Sequence, residues 1–190
     1  MRKPRIETAQ PCGPDSPRFS LAAPLALALA IGLCAPVPPA RAASYAEQEI
    51  KAAYLYNFAK FVDWPEGKPL LRLCLLDKGP VAGALEALRD KPVGERRLAL
   101  YYPESSSNLA ECDMLFLGEA EDRNLERIVA VTHGRRVLVV GDGEGYAQRG
   151  AMFNFYQEGG KIRFEINYHA VQRSGLKISS KLLALGKMVE

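Results

Sequence analysis

The sequence is poor in the residues from which catalytic and metal sites are commonly built. Its 190 residues include only 2 histidines and 4 cysteines, and neither type recurs at the spacing of a zinc site or of a C-x-x-C redox motif. The cysteines are also too few for a disulfide-dense scaffold. Hydrophobic residues make up 48% of the chain and charged residues 25%, which excludes a disordered protein. We therefore expect a folded protein with no catalytic residue, no metal site and no cofactor.

The chain begins with a pattern typical of exported proteins. Residues 1–20 are basic and rich in proline, residues 21–37 are apolar, and an A-x-A cleavage pattern ends at Ala42. A membrane anchor is disfavoured, because two prolines interrupt the apolar run and because a span needs roughly 20 apolar residues. A lipoprotein start at Cys34 is disfavoured because Leu33 stands where a small residue is expected.

This start predicts a Sec-type signal peptide over 1–42, cleaved near Ala42, and one periplasmic domain over 43–190. The formal net charge of +3 comes from 25 basic and 22 acidic residues. Five of the basic and two of the acidic residues lie in the predicted signal peptide, so 20 of each remain in the domain. Charge therefore gives no support to a nucleic-acid partner.

Two cysteines remain in the predicted domain, Cys74 and Cys112. An even pair in an oxidising compartment favours a disulfide bridge between them. Two buried free thiols are the alternative.

Strands alternate with helices along the domain. Helices are predicted at 46–64, 80–90, 120–133, 168–173 and 179–189, and strands at 70–76, 97–102, 114–117, 136–140, 152–156 and 161–167. This order predicts a single-domain α/β sandwich with a mostly parallel sheet, to which the last two strands add a C-terminal antiparallel hairpin at the edge.

The first helix carries an aromatic face with two interpretations. An apolar stripe on this helix consists of Ile50, Tyr54, Phe58 and Phe61, and Lys51 lies outside this stripe. The stripe is most simply core. Aromatic and polar residues left at its margin favour a binding surface instead. The candidate partner- or ligand-binding residues here are Tyr56, Asn57, Lys60 and Trp64.

The C-terminal part holds a second group of candidates. In the last predicted strand, alternation places Arg163, Glu165 and Asn167 on one face. This face binds a polar ligand or a partner in one interpretation, and is a solvated edge in the other, with Asn167 and Ser179 as helix N-caps. The remaining candidates are Ser179, Ser180 and Lys181.

An acidic glycine loop, GDGEG at 141–145, follows a predicted buried strand. Ligands often bind where strands of an α/β sheet end. The loop lacks calcium-loop spacing, and its acidity disfavours phosphate. A flexible connecting loop is therefore the favoured interpretation, and a ligand or metal loop is the alternative.

Three of these segments carry a resemblance to a known family. EIKAAYLYNFAKFVDWP at 49–65, MFNF at 152–155 with RFEIN at 163–167, and RSGLKISSKLLAL at 173–185 resemble, in the same order, the YfiR family of periplasmic regulators. The resemblance covers nearly all of the predicted domain.

The resemblance implies a non-enzymatic repressor. Such a protein binds the periplasmic sensor domain of an inner-membrane diguanylate cyclase and limits cyclic di-GMP and biofilm formation. An OmpA-like outer-membrane lipoprotein sequesters the repressor. The resemblance further implies a homodimer and redox tuning through disulfides, with Cys74 and Cys112 matching one family pair. A second family pair is replaced here by Ala147 and Asn154. The second hypothesis is a periplasmic sensor or carrier of a small-molecule effector, held near Asn57, Trp64 and the loops at the strand ends.

Overall fold

Helices and strands alternate through the part of the chain that the computed structural model describes, residues 39–76, 78–104 and 106–190. The α-helices are α1 (Pro39–Lys60), α2 (Pro80–Glu86), α3 (Leu125–Thr132), α4 (Tyr168–Ser174) and α5 (Ser180–Leu183), and 3₁₀ helices cover Ser106–Glu111 and Glu119–Asn124. The strands are β1 (Val62–Asp63), β2 (Leu70–Leu75), β3 (Pro92–Val93), β4 (Arg96–Tyr101), β5 (Met114–Leu117), β6 (Leu138–Gly141), β7 (Phe153–Glu158), β8 (Lys161–Asn167), β9 (Lys177–Ile178) and β10 (Lys187–Val189). Residues 1–38 of the predicted signal peptide lie outside the described part of the chain. The signal peptide and its cleavage near Ala42 therefore stay predictions. Within the described residues, no helix has both the length and the apolar character that a membrane span requires.

Eight strands form one sheet in the order β10-β8-β7-β6-β5-β2-β4-β3. Its neighbouring pairs are parallel except β3–β4 and β7–β8, which are antiparallel. The central strands β5 and β6 are buried along their whole length, as parallel strands covered on both faces usually are. The predicted α/β class with a mostly parallel sheet and a C-terminal hairpin is confirmed.

The position of that hairpin differs from the prediction. The hairpin β7–β8 is not at the edge, because β10 pairs in parallel with β8 on its outer side. The segment 179–189 was predicted as one helix, and this is wrong beyond Leu183. Gly186 explains the difference, since a Cβ at this position would lie 2.5 Å from Ile166 and 2.6 Å from Phe164. The backbone comes close to β8 there and continues as a strand.

The helix α1 packs on the sheet through a different face from the predicted one. Its core side chains are Ala52, Leu55, Phe58 and Ala59. Ile50 and Phe61, which were predicted to be core, are 46% and 37% exposed. The Phe58 ring lies 4.8–5.8 Å from three phenylalanine rings of the hairpin, those of Phe153, Phe155 and Phe164. This aromatic cluster sets the rotation of α1 about its axis.

The sheet is covered on both faces. One buried cluster joins α1, α2, α4 and α5 to one face, and a second joins the first 3₁₀ helix and α3 to the other. The second cluster contains a disulfide between Cys74 on β2 and Cys112 just before β5, with Cα atoms 5.9 Å apart. The predicted bridge is thus confirmed, and the alternative of two free thiols is wrong.

Replacing both cysteines with alanine (C74A/C112A) should lower the free energy of unfolding by about 3–4 kcal/mol, because the bridge restricts the unfolded chain by closing a long loop. Urea denaturation followed by circular dichroism measures the change. Reductant during unfolding should move the wild-type midpoint to that of the variant and leave the variant unchanged. Equal midpoints for the variant and the oxidised wild type would contradict a stabilising role.

Candidate functional site

A cavity of about 500 Å³ lies at the carboxyl end of β6. A neighbouring cavity of about 280 Å³ shares part of its wall and lies at the ends of β2 and β5. The chain runs from β2 to β4 on one side and later to β5 on the other, and ligands of open α/β sheets commonly bind at such a switch point. The larger cavity is lined by Glu47, Lys51, Glu119, Asp142, Gly143, Glu144, Gly145, Gln148, Asn154, Phe155, Tyr156, Gln157, Ile162 and Glu165.

An ion pair between α1 and the glycine loop forms one wall of this cavity. Lys51 is 8% exposed, and its Nζ lies 2.8 Å from Asp142 Oδ2 and 2.7 Å from Glu47 Oε1. The sequence placed Lys51 off the buried stripe, and this is wrong. Lys51 lies four residues before Leu55 and seven before Phe58, so it shares their face of the helix.

Burial acts in opposite directions on the pKa values of Lys51 and Asp142. Burial by itself lowers the pKa of Lys51, but the hydrogen bonds and charges of Asp142 and Glu47 outweigh it and raise the pKa above its ordinary value. Burial raises the pKa of Asp142, and the hydrogen bond from Lys51 offsets this only in part. The carboxylates of Glu47 and Glu119 raise the pKa of Asp142 further. The pKa of Asp142 therefore lies above its ordinary value, mainly because the carboxyl group is buried.

The glycine loop is packed against an aromatic ring. Tyr146 is 1% exposed, and its hydroxyl donates to the backbone carbonyls of Gly118 at 3.3 Å and Glu119 at 3.2 Å. A Cβ would lie 2.2 Å from this ring at Gly143 and 2.6 Å from it at Gly141. The favoured interpretation as a flexible connection is therefore wrong, because two loop glycines are needed for close packing.

Two buried polar side chains from the hairpin lie against the same loop. Asn154 and Glu165 are opposite each other on β7 and β8. Asn154 Nδ2 donates to the Gly143 carbonyl at 2.8 Å and to Glu165 Oε1 at 3.3 Å. Gln148 Nε2 donates to Glu165 Oε2 at 3.5 Å. Glu165 is 8% exposed, so the interpretation of its strand face as a solvated edge is wrong at this residue.

The other two candidate residues on β8 are Asn167 and Arg163. Asn167 is buried and is the N-cap of α4, accepting a hydrogen bond from the Ala170 amide at 2.8 Å. Its Nδ2 also donates to the Ala147 carbonyl. Arg163 is exposed and pairs with Glu158 at 2.9 Å. The N-cap prediction for Asn167 is confirmed, and Arg163 is a surface residue.

The other candidates are brought together at the end of α1. The pairing of β1 with β9 and the hydrogen bond from the Ser179 amide to the Phe61 carbonyl, 2.9 Å, join the two segments. Ser179 is the N-cap of α5, as predicted. The exposed side chains here, which we name the helix-end surface, are Asn57, Lys60, Phe61, Ser180 and Lys181.

Two of the aromatic candidates anchor this region. The Tyr56 hydroxyl donates to the Pro92 carbonyl at 2.6 Å, and Trp64 Nε1 donates to the Ala59 carbonyl at 2.7 Å. Both rings are half-buried. Their role in the fold is thus to hold α1 against β3 and against the residues that follow the helix.

Sequence reasoning found only part of the cavity. Lys51 and Gln148 line it and were not among the candidates, although the spacing of Lys51 from Phe58 carried the signal. Asp142 lies in the glycine loop, for which a ligand or metal loop was the alternative interpretation. Among the described residues, no group of three His, Cys, Asp or Glu side chains is arranged to hold a metal ion.

Replacing Lys51 with methionine (K51M) should lower the free energy of unfolding at pH 7 by roughly 2–4 kcal/mol, because Asp142 keeps its burial and loses its cation. The pKa of Asp142 then rises further. A carboxyl whose pKa is raised by folding stabilises below its unfolded value and loses this effect as the pH rises through the folded value. The deficit of K51M should therefore shrink as the pH is lowered towards about 4.

Chemical denaturation at several pH values measures this deficit. The matched control is K60M, which removes an exposed lysine from the same helix and should change stability by less than about 0.5 kcal/mol. A deficit that does not depend on pH would contradict the assigned ion pair.

The chain is similar to a known protein family and to a solved structure. A model of the YfiR/HmsC-like family matches residues 48–187. A solved conserved domain protein from Vibrio cholerae O1 biovar El Tor is 13% identical, with a TM-score of 0.49 over 75% of this chain. This chain spans 60% of the length of that protein. Proteins of the matched family are periplasmic and regulate cyclic di-GMP signalling. With its match over most of the length, this chain belongs to the YfiR/HmsC-like family.

Proposed function

We propose that this protein binds and represses the periplasmic sensor domain of an inner-membrane diguanylate cyclase, and thereby limits cyclic di-GMP and biofilm formation. The observation that carries the proposal is family membership over residues 48–187. In this proposal the signal peptide 1–42 is removed on export, the domain 43–190 acts in the periplasm, and the protein is not an enzyme.

The helix-end surface is the proposed contact with the cyclase. Phe61 offers an exposed aromatic ring, and aromatic residues are enriched among those that dominate binding energy. Lys60 precedes it in the chain, and Lys181 follows Ser179, whose amide donates to the Phe61 carbonyl. Both lysines are exposed, as charged residues at the rim of an interface usually are. Tyr56 and Trp64 hold the backbone beneath this surface, so little conformational freedom is lost on binding.

Further partners are proposed from the resemblance alone. An OmpA-like outer-membrane lipoprotein would sequester the protein and so release the cyclase. A homodimer is the proposed working form. Sequestration has this effect if the lipoprotein covers the cyclase-binding surface or draws the repressor away from the inner membrane.

A periplasmic small-molecule sensor is the second candidate function. The observation that favours it is the polar cavity at the strand ends, whose volume of about 500 Å³ falls within the usual range for small-molecule sites. The hypothesis from the sequence placed the ligand near Asn57 and Trp64 as well. Trp64 donates its ring N–H to the chain itself, so the strand-end loops are the better supported location.

Replacing Phe61 with serine (F61S) should weaken binding to the purified periplasmic domain of the cyclase at least tenfold, because a central aromatic contact is commonly worth about 2 kcal/mol or more. Biolayer interferometry measures the affinity. The matched control is Y101S, since Tyr101 is 39% exposed and lies on β4, away from this surface. Equal affinities for F61S and Y101S would show that the helix-end surface is not the contact.

Deleting the gene should raise cyclic di-GMP and surface attachment, because the cyclase loses its repressor. Mass spectrometry of the nucleotide and a crystal-violet attachment assay measure both. Expression of the wild type or Y101S should restore the low level, whereas F61S should not. A deletion strain with unchanged cyclic di-GMP would contradict repression of a cyclase.

A further inference from the structure

Exposed basic side chains form a row from the segment after α3 to the end of α1. Three parts of the chain supply them, namely the end of α1, the link between α3 and β6, and the segment from α4 to α5. The members of this row, which we name the basic strip and which are all exposed, are Lys60, Arg135, Arg136, Arg173, Lys177 and Lys181. The strip shares two lysines with the helix-end surface and extends that surface towards α3.

One end of the basic strip is formed where α4 meets the link before β6. Arg173 lines a small cavity together with His133 and Gly134. A Cβ at Gly175, just after α4, would lie 3.9 Å from Arg136 Nε. The end of α4 thus brings its arginine next to the two arginines that precede β6.

The other end of the basic strip lies at the end of α1. β9 pairs with β1, which places Lys177 opposite Asp63. Just after β9, a backbone amide donates to the Phe61 carbonyl at 2.9 Å. This hydrogen bond joins the segment that carries Lys181 to the segment that carries Lys60. The six side chains therefore belong to one continuous part of the surface.

The charges of the basic strip are not compensated within the described part of the chain. No carboxylate there forms an ion pair with any of its six members. Asp63 is placed to offset one of the charges. Lys60 Nζ lies 5.4 Å from the centre of the Tyr56 ring, and the guanidinium of Arg135 donates to a backbone carbonyl. Like charges grouped in this way repel one another, so negative charge from outside the chain would stabilise the group.

The basic strip and the acidic cavity lie at opposite ends of the sheet. β6 begins two residues after Arg136, and it is followed by Asp142, which lines the cavity. Five acidic residues and one basic residue line that cavity. The predicted domain has 20 residues of each sign, so its two ends carry opposite excesses of charge. Such a separation attracts and orients a partner of opposite charge.

We infer that the sensor domain of the cyclase presents an acidic face to the basic strip, and that charge attraction guides the two proteins together. The strip is continuous with Phe61 and the helix-end surface, which favours a protein face over an anionic lipid surface. Charges at the rim of an interface act mainly on the rate of association. This inference rests on the proposed function, repression of a cyclase.

The first test measures how salt affects binding of the purified protein to the periplasmic domain of the cyclase. Biolayer interferometry at about 0.1 M and about 1 M NaCl covers a fall in the Debye length from about 10 Å to about 3 Å. The association rate constant should fall about tenfold between these conditions, whereas the dissociation rate constant should change little. An association rate that does not depend on salt would overturn the inference.

A matched pair of lysines tests the position of the contact. K181E reverses one charge of the basic strip, whereas K161E reverses an exposed lysine at the start of β8, beside the acidic end of the sheet. At about 0.1 M NaCl, K181E should slow association about threefold and R173E/K181E about tenfold, and K161E should change it by less than about twofold. Equal rates for R173E/K181E and K161E would overturn the inference. Thermal unfolding checks each variant, and K181E against K161E decides if the double variant does not fold.

Cross-linking tests the charge of the partner directly. A carbodiimide joins a lysine amine to a nearby carboxylate through an amide bond. Applied to the complex and followed by mass spectrometry, it should join Lys177 and Lys181 to Asp or Glu residues of the sensor domain and leave Lys161 unjoined. Absence of cross-links from the basic strip would overturn the inference.

The F61S variant separates this inference from the proposed central contact. It should speed dissociation and keep the wild-type dependence of association on salt, because the charges are intact. A wild type that does not bind the sensor domain at either salt concentration contradicts the proposed function, and the inference with it. Salt-independent binding contradicts the inference alone.

Sedimentation with phosphatidylglycerol vesicles tests the other source of negative charge. The acidic protein face predicts that R173E/K181E loses association with the sensor domain, whatever its behaviour with vesicles. If the double variant loses vesicle binding and associates with the sensor domain as fast as the wild type does, the basic strip faces lipid and the inference is overturned.

Discussion

The packing of α1 against the hairpin is the interaction on which both candidate sites depend. Phe58 inserts among Phe153, Phe155 and Phe164, with ring centroids 4.8–5.8 Å apart. Aromatic pairs at these distances add about 0.5–1.5 kcal/mol each beyond the burial of their area. This cluster fixes both the height and the rotation of α1. As a result, the first half of the helix brings Lys51 to Asp142, and the end of the helix leaves Phe61 exposed.

The sequence predicts the class of the fold well because its central strands are continuous apolar runs. β5 and β6 match the predicted strands closely, and the bridge between Cys74 and Cys112 follows from two cysteines in an oxidising compartment. The end of the chain was predicted less well. The segment after Leu183 is too short and too mixed in polarity to separate a strand from a helix by periodicity, and only its pairing with β8 decides.

The error at the end of the chain also affects the interpretation of Glu165. With β8 taken as an edge strand, its polar face is either a binding surface or a solvated edge. In the structure β10 pairs with β8 on the outer side, and Asn154 links Glu165 to the glycine loop. Lys51 was missed for a related reason. The aromatic stripe from Ile50 to Phe61 and the actual core face through Leu55 and Phe58 share Phe58 but differ by a rotation of roughly 100° about the helix axis. Composition cannot choose between them, because the choice is made by the phenylalanines of a distant hairpin.

The two sites lie on one continuous helix, and this limits how a ligand can act on a partner. Lys51 and Lys60 are nine residues apart, which is about 14 Å along the axis. A ligand changes partner affinity only if it binds two arrangements of the protein unequally, and the coupling is then reciprocal. The aromatic cluster resists a shift of α1, because its rings are close-packed. The polar end of the helix is joined to the glycine loop through the ion pair of Lys51 with Asp142. A ligand that acts on a partner through α1 would therefore have to change this ion pair rather than the aromatic cluster.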